Sequence, residues 1–138
     1  MRQREVRRVY LAFEFEKDSQ RRATFISQAQ RHCDFRVEDL SLPSAVHDSS
    51  WQREALERIR SSDLVMFLLG PDTHNAPGVH DELSLAGLAR RPVVQLKPRS
   101  REYGFVSQKV PVCSYKWRRI NEMLRDPKAF VAAYAIRA

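Results

Sequence analysis

The sequence predicts an α/β domain, with a mainly parallel sheet of about five strands held between two layers of helices. Three observations carry that expectation. Short β-branched and aromatic runs alternate along the chain with stretches whose apolar residues recur at helical spacing. The run Leu64–Leu69 is apolar throughout, as a strand covered on both faces must be. The segments between runs are long enough for the crossovers that parallel neighbours need, which implies right-handed βαβ units in a doubly wound sheet.

Each element has its own signal. Arg8-Val-Tyr-Leu-Ala-Phe13 reads as the first strand and runs into the acidic stretch Glu14–Asp18. Asp18 or Ser19 is the expected cap of a helix carrying Phe25, Ile26, Ala29 and Cys33 on one side. Asp34–Asp39 alternates as a second strand near a sheet edge, and Leu40–Ser44, with Pro43, breaks regular structure. Asp48, Ser49 and Ser50 offer caps for a helix with the stripe Trp51, Ala55, Leu56, Ile59, ending near Ser61. Leu64–Leu69 is the central strand. After Gly70-Pro71 come a polar loop, Asp72–Pro77, a helix from about Gly78 to Ala89 and the strand Pro92–Lys97. A short strand near Val110–Ser114 precedes a helix with Ile120, Met123 and Leu124, and Ala129–Ala138 is expected to extend it or to fray.

Composition bounds what such a domain does. One domain spanning residues 1–138 is expected, since 138 residues suffice for a single core. No apolar run approaches the roughly 18 residues of a membrane span, and no secretory signal is visible, so a soluble cytoplasmic protein with no membrane partner is expected. Cys33 and Cys113 lie in apolar segments with no CxxC pair and are expected to be unbridged thiols. Lys plus Arg (24) exceed Asp plus Glu (17), a net charge of +7 that suits anionic partners such as nucleotides. The basic pairs Arg7-Arg8, Arg21-Arg22, Arg90-Arg91 and Arg118-Arg119 are scattered and read as solvated surface.

Ligands of doubly wound sheets bind beyond the carboxyl ends of the strands, which directs attention to the loops 14–18, 40–48, 70–78 and 98–105. A site is expected where the first and third of these converge. In the helix after the central strand, Val79, Leu83 and Ala86 form an inward stripe, and Glu82 falls between them on the same side. A carboxylate directed inward is unusual, although acidic residues also favour a helix's first turn through the macrodipole, an account that fits Asp81. His74 and His80 are six apart, which is not a metal pair on a helix. Glu14, Glu16 and Asp18 would suit Mg²⁺ in a phosphoryl-transfer receiver domain, but such a domain needs an Asp where this chain has Gly70. No metal site is assigned. GxxxxGK[ST], GxGxxG and GxSxG are absent.

Taken together, Val9–Asp18, Phe35-Arg-Val-Glu-Asp-Leu-Ser-Leu-Pro43, Ile59–Gly70 and Thr73-His74 resemble the TIR-like family. The closer similarity is to its bacterial and archaeal branch, which includes TIR-like proteins of the Thoeris anti-phage system. The resemblance runs from about Val9 to Lys97. It implies a flavodoxin-like three-layer sandwich and an enzyme that takes NAD⁺ as substrate, with no separate cofactor. Cleavage of the nicotinamide–ribose bond would give an ADP-ribose-type signal, read by a downstream effector in antiviral defence. The family's active-site glutamate matches Glu82 in the pattern formed by Thr73, His74, Val79 and Glu82. Thr73, His74, Phe13 and Phe15 are then candidate substrate-binding residues, and basic residues after the first and fourth strands are candidates for the pyrophosphate. Where relatives often carry serine and two tryptophans, this chain has Ala12, Gly78 and Asp81. The alternative class is a non-catalytic module acting by TIR–TIR self-association or by nucleotide sensing.

Overall fold

The computed structural model describes residues 3–100 and 102–137, apart from the side chains of Glu16 and of residues 135–137. Five strands, β1 (Val6–Ala12), β2 (Arg36–Asp39), β3 (Leu64–Leu68), β4 (Val93–Lys97) and β5 (Val112–Ser114), form one sheet in the order β2-β1-β3-β4-β5. All four pairings are parallel. This is the flavodoxin-like three-layer sandwich. The order reverses between β1 and β3, where the crossovers to either side leave opposite faces and open a crevice at the carboxyl ends.

Side-chain alternation along the strands builds two cores. Val9 and Leu11 of β1 and Leu64, Met66 and Leu68 of β3 pack under α1 (Phe15–His32), α4 (Trp117–Arg125) and α5 (Pro127–Arg137). Tyr10, Ala12, Val65 and Phe67 face the other way, under α2 (Ser49–Arg60) and α3 (Pro77–Ala89). Every residue of β3 is buried, in keeping with its uniform apolarity. β2 is an edge strand as expected, with Arg36 and Glu38 exposed along it.

The boundaries differ from expectation where side chains compete with propensity. α1 begins at Phe15, before Asp18 and Ser19, because the Glu14 carboxylate accepts the Lys17 backbone N–H at 2.7 Å and does the capping. Asp18 therefore falls inside the first turns. β1 starts two residues earlier than expected, and β5 begins only after Pro111, which has no N–H to give a ladder. The tail forms α5, a separate helix whose first turn is tied by the Asp126 carboxylate accepting from Ala129 N–H at 3.1 Å; Ala138 lies outside the described residues. Asp48 caps α2 as expected, accepting from Trp51 N–H at 2.9 Å. Cys33 and Cys113 are free and buried. Arg7, by contrast, is not a solvated residue. Its Nε donates to the Leu124 carbonyl at 2.6 Å, and its guanidinium lies 4.3 Å from the Phe35 ring centroid.

α3 ends on Arg90, the one non-glycine residue with positive φ (57°) among those described. A side chain is disfavoured in that left-handed conformation, and glycine is the usual solution. Arg90→Gly is expected to raise stability by up to about 1 kcal/mol, read as a higher urea midpoint at unchanged m-value.

Candidate active site

α3 starts where the chain turns back from the end of β3. Gly70 N–H donates to Thr73 Oγ at 2.7 Å, a 3-10 turn spans Thr73–Asn75, and Pro77 takes the first helical position, where its missing N–H is harmless. Gly78, Val79, Glu82 and Ala86 are then the buried side of α3. Leu83, expected on that stripe, is only half-buried, and Glu82 lies deeper than it does.

Glu82 is 6% exposed, and its carboxyl group accepts a hydrogen bond from the Tyr10 hydroxyl at 2.5 Å. Tyr10 comes from β1, is fully buried and projects from the face that α3 covers. Burial pushes the Glu82 carboxyl up from 4.5 to about 8, against the opposing effect of the Tyr10 hydrogen bond, with the nearby Asp81 charge adding to the rise. The Tyr10 hydroxyl is raised as well, first by burial and then by the Glu82 charge.

Between about pH 4.5 and 8 the folded protein consequently holds a proton on Glu82 that the unfolded chain has released. The stability this contributes is complete below about pH 4.5 and is lost as pH rises through about 8. Wild-type protein is expected to lose stability relative to Glu82→Gln across that window. Urea unfolding of both proteins at its two ends measures the difference.

Glu82 opens onto a cavity of about 290 Å³ at the carboxyl end of β1. Phe13, Glu14 and Phe15 line one side, residues 42–45 with His47 and Trp51 another, and Ala76–Val79 with Glu82 the third. Trp51 is anchored by its Nε1–H, which donates to the Leu42 carbonyl at 3.0 Å, and meets the His47 ring edge-on at 4.6 Å. The His47 ring lies against Gly78 so closely that a Cβ there would stand 2.5 Å from its Nε2. Glycine at 78 is what lets the imidazole lie over the start of α3. Glu82 is one turn further along the same face.

The candidate residues separate in space. Phe13, Phe15 and Glu82 share the cavity, whereas Thr73 and His74 are not among its lining. Thr73 is fully buried and donates to the Asp18 carboxylate at 3.3 Å; His74 is exposed, and its carbonyl meets His80 Nε2 at 2.6 Å. Among the described residues no lysine or arginine lines the cavity, and Arg99, in the loop after β4, lies on the opposite face of the sheet. Gly70 is no vacant phosphoacceptor position, since a Cβ there would come within 2.5 Å of Asp18 Oδ2. Asp18 itself is engaged by Arg21 Nε at 3.0 Å. Among the described residues no group of three or more His, Cys, Asp or Glu is placed to hold a metal.

Tyr10, His47 and Trp51 went unassigned from sequence. Tyr10 is one more aromatic residue in a strand and Trp51 one more in a helical stripe. The signal for Tyr10 is parity, since it shares its strand face with the residues that α3 covers.

No protein-family model matches the sequence, and no curated protein matches it. Among solved structures, the chain is similar to the Clostridium botulinum CMP N-glycosidase BcmB, with a TM-score of 0.53 and 18% identity over 86% of this chain and 97% of that one. At that identity the likeness is one of fold.

Proposed function

We propose that this chain is a nucleotide N-glycosidase of the TIR-like type, cleaving the nicotinamide–ribose bond of NAD⁺ at Glu82. The observation that carries the reading is a buried carboxyl group, oriented by Tyr10, opening into a cavity at the carboxyl end of a doubly wound sheet. As the C1′–N bond breaks, its electron pair leaves with nicotinamide and positive charge develops on the ribosyl ring. An anion held close and dry stabilises that charge far better than water does. The cationic nicotinamide ring itself favours the ionised form of Glu82. Phe13, Phe15 and Trp51 supply apolar walls for planar groups. Water then adds at C1′ and loses its proton, or a hydroxyl or ring nitrogen of the substrate adds instead and gives a cyclic product for a downstream effector.

The raised pKa of Glu82 favours a second reading. A neutral base leaves far more readily when protonated, and a carboxyl group still holding its proton near pH 7 is suited to donate it. A nucleoside 5′-monophosphate is then the substrate, in line with the fold neighbour being a CMP N-glycosidase. Incubating purified protein with NAD⁺ and with each common nucleoside 5′-monophosphate, and quantifying released nicotinamide or base, tests both. Release of nicotinamide alone supports the first reading, and release of a base the second. Saturable binding without release identifies a sensing module instead.

A further inference from the structure

A second cavity, of about 250 Å³, lies on the α1 face at the carboxyl ends of β3 and β4 and, among the described residues, shares no lining residue with the Glu82 cavity. Its floor includes Leu68 and Leu96, and its walls carry Arg21 and Gln28 of α1, Arg99 from the loop after β4, and Tyr115 after β5. Among the described residues no aspartate or glutamate lines it; Arg21 is ion-paired with Asp18, so the positive charge the cavity offers is carried mainly by Arg99.

Tyr115 is fixed in place. Its hydroxyl donates to Gln28 Oε1 at 2.6 Å, and its ring meets Phe25 and Trp117 edge-on at 6.5 and 6.1 Å. The Arg99 guanidinium stands 5.7 Å from the Tyr115 ring centroid. Arg21, another lining residue, uses its Nε on Asp18.

We infer that this cavity binds a phosphorylated nucleoside, separately from the chemistry at Glu82. Planar guanidinium forks match phosphate oxygens, a held aromatic ring and leucine side chains suit the face of a base, and Gln28 offers an amide to the base edge or the sugar. Arg21 also joins the site to the Asp18–Thr73–Gly70 hydrogen bonds that set the start of α3.

The protein has two tryptophans, and each reports one cavity: Trp51 lines the Glu82 cavity and Trp117 packs on Tyr115. In ¹⁵N-labelled wild-type protein, titration with uridine 5′-monophosphate is expected to shift the Trp117 indole N–H signal saturably below about 1 mM. Uridine should bind at that signal at least tenfold more weakly. Inorganic phosphate should compete without reproducing the shift. Arg99→Ala, a change at an exposed side chain, should weaken the Trp117 response tenfold or more while leaving the Trp51 response and any base release intact. A Trp117 signal unmoved by the four common nucleoside 5′-monophosphates, or a response that survives Arg99→Ala or that uridine matches, overturns the inference. Failure of the glycosidase reading shows elsewhere, as absent base release and an unmoved Trp51 signal.

Discussion

Glu82→Gln is expected to lower nicotinamide or base release by two or more orders of magnitude, about 3 kcal/mol of transition-state stabilisation, while the protein stays folded. The amide has nearly the size of the carboxyl group, and its oxygen can still accept from Tyr10. It removes both the negative charge that a ribosyl cation needs and the proton that a neutral leaving group needs. Stability should hold or rise at neutral pH, because a neutral amide does not pay the ionisation cost that burial imposes on Glu82. Turnover and urea unfolding measured on the same preparation separate the two effects. A variant that keeps wild-type turnover removes Glu82 from the chemistry. One that loses turnover only by unfolding leaves it a structural residue.

Tyr10→Phe is expected to reduce release by about 10- to 100-fold, the range corresponding to a hydrogen bond to a charged group of about 1.5–3 kcal/mol. The hydroxyl opposes the rise in the Glu82 pKa, so its loss should move that pKa further upward. The direction of the resulting pH profile distinguishes the two substrate readings. If Glu82 works as an anion on NAD⁺, the acidic limb of kcat/KM moves to higher pH. If it works as an acid on a neutral base, activity persists further into the alkaline range. A profile that does not move at all means that Tyr10 has no hold on the reacting group.

Much of the architecture was legible because it follows from local period. The apolar run at Leu64–Leu69, the alternation at Asp34–Asp39 and the helical stripe at Trp51 each carry their own burial pattern, and together they admit few topologies. Glu82 was legible for the same reason, since a helix places position 82 beside 79 and 86 wherever it packs. Tyr10 and Glu82 are 72 residues apart, and their contact depends on β1–β3 register and on which face α3 covers. Sequence points to the loop 40–48 but not to His47 within it, because the loop has no period at all and the position of His47 rests on the bare backbone of Gly78. Thr73 stands out in sequence by its place in a motif, and the structure employs it locally on Gly70 and also on Asp18, a contact between distant residues that no one-dimensional spacing contains.

The interior position of β1 also has a consequence for synthesis of the chain. It is made before the other four strands of the sheet, but one of its two ladders belongs to β3, which cannot pair until α1, β2 and α2 have been made. Until then Tyr10, Leu11 and Ala12 have an unfilled strand edge beside them, and pairing across that interval must overcome the entropy of closing a long loop. The nascent protein therefore passes through a stage with an apolar strand half-partnered, the situation in which chaperones bind and neighbouring chains aggregate.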